Sequence, residues 1–152
     1  MPYLRAPTLK QRTRALAVAG ALVLTSWPAG AFAASDAGRQ ALGEWRLTAA
    51  LDSSEITALD EREAQQLVGA LVSIRRDGVR IGGQQCAAPS LRAESVVPKL
   101  YLREQAHADA AKLGLPDPVT VVELGCTVVF LKNPRRLVVH WRGWFFDALK
   151  VR

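Results

Sequence analysis

The stretch Val119–Phe146, VTVVELGCTVVFLKNPRRLVVHWRGWFF, decides how the rest of the chain is read. β-Branched and aromatic residues crowd it, and such side chains fit a pleated, half-buried backbone. Val119, Val121, Glu123 and Gly125 alternate with Thr120, Val122, Leu124 and Cys126. That period of two marks a strand. Thr127 to Leu131 is apolar on both faces, which suits a central strand. Lys132-Asn133-Pro134-Arg135-Arg136 reads as a turn. A long final strand is then expected, with Leu137, Val139, Trp141, Gly143 and Phe145 on one face and Val138, His140, Arg142, Trp144 and Phe146 on the other.

The far end of the chain has a different character. Arg5, Lys10, Arg12 and Arg14 precede the apolar run Ala15–Leu24, and Ala31-Phe32-Ala33 closes the segment with small residues. This order is that of a secretory signal peptide over residues 1–33. The run is shorter than the roughly 20 apolar residues that span a bilayer, so no stable membrane span is expected after cleavage. Cleavage after Ala33 leaves about 119 residues, one modest domain. The formal charge falls from +6 for the whole chain to about +2 once those four basic residues leave. A nucleic-acid partner needs a concentrated basic face, and this balance does not supply one. Cys86 and Cys126 both lie in the mature part. Two cysteines in an exported chain are expected to form one disulfide.

Residues 34–42 are small and polar and are expected to be flexible; the domain proper is placed at 43–152. Gly43–Ala49 alternates as a strand, with Trp45, Leu47 and Ala49 on one face. Asp60 followed by Glu63 forms a capping-box pattern, with Ala64, Leu67, Val68 and Leu71 at helical spacing behind it. Leu71–Arg75 and Val79–Ile81 flank Arg76-Asp77-Gly78, a hairpin signal. Ser90–Val97 reads as another strand, with Leu91, Ala93, Ser95 and Val97 inward. Leu102, Ala106, Ala110 and Leu113 form one stripe of a second helix over Leu102–Leu113, capped by Gly114.

The opening Gly43-Glu44-Trp45 resembles the start of lipocalin-like barrels. That resemblance implies a tryptophan plugging one barrel end and a basic residue of the final strand packed over it, for which Arg142 is the match. The same motif resembles small exported bacterial domains of the META type. The mature chain is also similar to uncharacterised proteobacterial periplasmic proteins in its Trp45 strand, its Asp60-x-x-Glu63-Ala64 helix, its Cys86-x-x-Pro89 step and its Gly125-Cys126 strand. It departs from true lipocalins in the helix near residue 61, and about 119 residues hardly supply eight full strands.

The expected fold is α+β: an antiparallel sheet of about five to seven strands, curved into a partial β-barrel, with two short helices. Its core is expected to hold Trp45, Leu47, Leu67, Ile74, Val121, Val128, Phe130, Val139, Trp141 and Phe145. No catalytic, metal-binding or cofactor motif stands out. His107 reads as a solvated surface residue. His140, Arg142, Trp144 and Phe146 form the candidate ligand-binding face, where charge and stacking would hold an anionic or sugar-like ligand. Arg75-Arg76 and Arg135-Arg136 are basic hairpin tips that would make a patch if they lay on one side. The reading is a periplasmic or secreted binding module for a small amphipathic or anionic ligand or an envelope protein, without catalysis. Its rivals are an inhibitor of a hydrolase presenting the loop Gly82–Pro89, and a hydrolase-like enzyme with His140 as base. Intact mass of a periplasmic extract is expected to start at Ala34 and to gain two alkyl groups only after reduction. A full-length mass with free thiols would contradict both the leader and the disulfide.

Overall fold

The computed structural model describes residues 30–86 and 91–151. Most of the expected leader therefore lies outside the described residues, as does the Ala87–Pro89 part of the expected inhibitory loop. Helix α1 (Gly30–Ala41) leads into the long strand β1 (Gly43–Ser53) and the short helix α2 (Glu61–Gln66). Strands β2 (Leu71–Arg75), β3 (Gly78–Ile81) and β4 (Gln84–Cys86) follow as a meander. Then come β5 (Arg92–Val96), α3 (Pro98–Gln105) and a 3-10 turn at Ala110–Lys112. The chain ends in β6 (Val119–Glu123), β7 (Val128–Asn133), β8 (Arg136–Trp141) and β9 (Trp144–Lys150). All nine strands join one antiparallel sheet in the order β4-β3-β2-β1-β9-β8-β7-β6-β5. The fold is α+β, a curved antiparallel half-barrel.

Topology forces the curvature. The two edge strands, β4 and β5, are consecutive in sequence. The step from Cys86 to Arg92 can reach at most about 20 Å. A flat nine-stranded sheet would hold its edges roughly 38 Å apart, eight spacings of about 4.8 Å. The sheet must curl to bring its edges within reach. The Cys86–Cys126 disulfide then ties the end of β4 to the β6–β7 connection, with the two Cα atoms 6.2 Å apart. The cysteines pair as the sequence predicts.

Strand alternation divides the apolar residues between the two faces. The concave side holds Trp45 and Leu47 of β1, Val72 and Ile74 of β2, Val79 and Ile81 of β3, Val122 of β6, Val129 and Leu131 of β7, Leu137 and Val139 of β8, and Phe146 and Ala148 of β9. The convex side holds Val119 and Val121 of β6, Phe130, Val138 and Phe145, covered by Leu102 of α3 and by Leu113. Strand β7 is thus apolar on both faces because both faces are covered. Burying each large side chain contributes roughly 1.5–3 kcal/mol. Of the expected core, Leu67, Val128 and Trp141 are only partly buried; the other seven are buried.

The structure corrects several expectations. Residues 34–41 lie in helix α1, an element the sequence reading did not place. The helix lies against β5 and β6, and Ala41 is fully buried. The indole of Trp45 donates to the Ala41 carbonyl at 2.9 Å, so burying Trp45 fixes the helix end. The basic residue over the Trp45 ring is Lys150 of β9, its Nζ 5.0 Å from the centroid, not Arg142. Nine strands form because several are only three to five residues long. The helix expected over Leu102–Leu113 begins earlier, at Pro98, and stops at Gln105. His107, exposed with φ 47°, breaks it, and Asp109 caps the 3-10 turn by accepting from Ala111 N at 2.9 Å. Leu102 and Leu113 still reach the same cluster from either side of the break. In β5, Ala93 is half-buried but Ser95 and Val97 are exposed.

Replacing both cysteines (Cys86→Ala with Cys126→Ala) removes a cross-link across 40 residues. It is expected to lower unfolding stability by about 4 kcal/mol on the chain-entropy account, read from urea unfolding. A loss below about 1 kcal/mol would mean that the curled sheet and its core hold β4 beside the β6–β7 connection without the cross-link.

Candidate functional site

The expected final strand is two strands. Arg142 and Gly143 have φ of 51° and 87°, and Trp141 pairs with Trp144 across them. Two central residues with positive φ are what a type I′ hairpin turn needs. Arg-Gly lacks the Asn-Gly or Asp-Gly signature, so the strand-like residues on either side concealed the turn. Glycine at 143 has a second reason. A Cβ there would sit 2.7 Å from the Ile56 carbonyl oxygen and 2.7 Å from Thr57 Cα.

That close approach belongs to a strap. After β1 the segment Ser54–Leu59 crosses the hairpin tip. Ser54 N donates to Gly143 O at 2.7 Å and Ala58 N to Arg142 O at 3.0 Å. The Trp144 indole donates to Leu59 O at 2.9 Å. The strap leaves Ile56 86% exposed. It then enters α2 through the capping box that the sequence predicts. Glu63 N donates to Asp60 Oδ1 at 2.7 Å, and Asp60 N to Glu63 Oε2 at 2.9 Å.

The turn redistributes the expected ligand face. Trp144 and Phe146 point to the concave side with Trp141, and Phe146 is fully buried there. His140 points to the convex side with Phe145, their rings stacked at 4.4 Å and 18°. Arg142 stands exposed at the tip. The four residues therefore share no surface. Instead Trp141, absent from the expected site, meets Arg142, whose guanidinium carbon lies 5.9 Å from the indole centroid. The two line a cleft with Glu63, Gln66 and Leu67 at α2 and with Ile81, Gly82 and Gln84 at the β3–β4 turn. Aliphatic, aromatic, amide and cationic groups converge there.

His140 has its own surroundings. Its Nε2 shares a hydrogen bond with Ser54 Oγ at 3.2 Å, and Thr127 Oγ1 donates to its carbonyl oxygen. It lines a second surface with Glu123, Thr127 and Cys126. Glu123 is two strands away in register, by way of Val128. Burial pushes the imidazole pKa below 6.5, so the ring is neutral at neutral pH. A neutral imidazole at a serine hydroxyl is a chemically competent nucleophile–base pair. Among the described residues no carboxylate hydrogen-bonds to the ring to orient it. Ser54 N is already bonded to Gly143 O.

Comparison with protein-family models, with curated proteins and with solved structures finds no match. The chemistry of both surfaces therefore rests on these residues alone. Among the described residues no helix is long and apolar enough to cross a membrane. The disulfide fits an oxidising, non-cytoplasmic compartment.

The lowered pKa fixes the sign of a pH effect. The unfolded chain binds the His140 proton more readily than the folded one, so protonation favours unfolding. No stability is lost to this group above about pH 6.5; loss grows below that value and levels off past the folded-state pKa. Melting temperature followed from neutral pH to about pH 5 is expected to fall less steeply in His140→Gln than in the parent. Parallel slopes would show that the ring titrates as freely folded as unfolded.

Proposed function

We propose that this chain is a small exported binding module that takes an amphipathic ligand with an anionic group in the cleft between α2 and the β8–β9 tip. The observation that carries this is the meeting of Trp141 and Arg142 over the aliphatic floor of Leu67 and Ile81. An indole face offers apolar contact, and a guanidinium beside it offers charge-assisted hydrogen bonds to a carboxylate or phosphate. The concave interior is occupied by Trp45, Ile74, Leu137 and Phe146, which leaves the cleft at its rim as the site. Export is supported by the leader-like order of residues 1–33 and by the disulfide.

The hydrolase reading has one specific observation in its favour, the Ser54–His140 pair. The same pair is explained as a clamp that fastens the strap to β8, since the Ser54 amide bonds the hairpin tip as well. A fluorophosphonate that phosphonylates Ser54, with loss of fluoride, in the parent but not in His140→Gln would favour the enzyme instead. The inhibitor reading asked for a protruding loop from Gly82. The described part of it, Gly82–Cys86, is a turn and the paired strand β4.

Laurate, an alkyl chain with a carboxylate, is the simplest probe of the cleft. Its titration is expected to shift tryptophan emission saturably in the parent, to leave Trp141→Phe unchanged, and to bind about tenfold more weakly to Arg142→Asn. Asparagine removes the cation while tolerating the positive φ at that position. A response that persists in Trp141→Phe, or none at all, would move the ligand away from this cleft.

A further inference from the structure

We propose that the convex face of β3, β2, β1, β9 and β8 docks on the anionic headgroup surface of a phospholipid bilayer. Among the described residues, helix α3 and the 3-10 turn cover the convex side over the cluster of Val119, Val121, Phe130, Val138 and Phe145, and reach the end of β1 at Leu51 and Asp52. Beyond that cluster the outward residues of β1, β2 and the end of β9 face solvent. The register arranges them in rows. Leu71 pairs with Arg46, Arg46 with Leu149, and Leu149 with Arg136, so aliphatic and cationic side chains alternate across four strands. Leu71 is 48% exposed and Leu149 36%. The next row sets Arg80 opposite Ser73 and Ser73 opposite Glu44.

The charges on this face do not cancel. Asp147 is nearly buried and is bonded by Lys132 at 2.8 Å and Arg136 at 3.3 Å. Glu44 accepts from Ser73 Oγ at 2.6 Å and lies 3.5 Å from the Arg75 guanidinium. Arg46 and Arg80 instead donate to neutral oxygens, Gly69 O at 3.1 Å and Gln85 Oε1 at 3.2 Å. Their positive charge is left for a partner. The two basic hairpin tips add to it at one end of the sheet. Gly43 pairs with Ile74, Trp45 with Lys150, and Lys150 N donates to Arg135 O. Arg75-Arg76 and Arg135-Arg136 therefore flank the start of β1 and the end of β9 together.

The spread of the array selects the partner. From β3 to β8 it covers four strand spacings, about 19 Å, over an open sheet face. One phosphate or carboxylate would meet only one or two of these cations. An acidic peptide would meet a row, but its backbone would find no edge to pair with on the face of a sheet. A bilayer with anionic lipids offers a carpet of phosphates and, just beneath, an acyl boundary for Leu71 and Leu149.

The test is sedimentation of the protein as isolated from cells with phosphatidylcholine vesicles that contain or lack phosphatidylglycerol, at low and high salt. Binding is expected only with phosphatidylglycerol, and is expected to weaken with salt. Arg46→Gln with Arg80→Gln is expected to weaken it roughly 30-fold, with an unchanged thermal melt. Leu71→Gln, at an exposed position, is expected to weaken it severalfold and provides a second reading if the double variant folds poorly. Equal binding by parent and variants would assign the membrane affinity elsewhere, the basic leader included. Capture by polyglutamate but not by vesicles would make the partner an acidic polypeptide. Either result overturns the proposal.

Discussion

The structure depends on one constraint, the short reach between the two edges of its sheet. Strands β4 and β5 are neighbours in sequence and opposite ends of the sheet in space. A short connection between them cannot coexist with a flat sheet. Curling follows, and a concave side appears that must be filled. Trp45 and Phe146 fill much of it, and α1 contributes Ala37 and Ala41. The disulfide fixes what topology already demands, because Cys86 ends the edge strand β4.

Closure also explains where the functional surfaces lie. The concave side of the half-barrel is lined by its own buried side chains, and the two surfaces described lie at its rim and on its outer face. At one rim, α2 and the β8–β9 tip enclose the cleft of Trp141 and Arg142. The strap Ser54–Leu59 holds that tip by three hydrogen bonds and leaves glycine as the residue that fits beneath it. On the outer face, the helical cover ends where the β6–β9 cluster ends. Among the described residues nothing packs over the arginines of β1, β2, β3 and β8, and they are exposed.

How much of this was legible from residues varies by element. The β2–β3 hairpin was, because Asp77-Gly78 supplies the turn chemistry between two alternating runs. The capping box at Asp60 and Glu63 was, since both of its bonds are local. The Arg142–Gly143 turn was not. Its flanks are as strand-like as its neighbours, and the glycine was the sole available signal. Missing that turn inverted the facing of every residue after it, since a two-residue turn returns the chain with cross-strand partners on one face. Phe146 thereby moved from a supposed binding surface into the core, and Trp141 from the core to a cleft. Helix α1 was illegible for another reason. Its small residues carry little periodic signal, and the seam they cover exists only once the sheet has curled.

The sequence by itself determined the local matters: strand periods, the caps, the β2–β3 and β7–β8 turns, the single possible cysteine pairing and the α+β class. These depend on residues a few positions apart, or on there being only two cysteines to pair. Tertiary structure alone decided that β1 lies between β2 and β9, that Lys150 and not Arg142 covers Trp45, and that His140 meets Ser54 across 86 positions. Those contacts follow from strand order and curvature. Both are set by how the whole chain closes its edges, which no local pattern encodes.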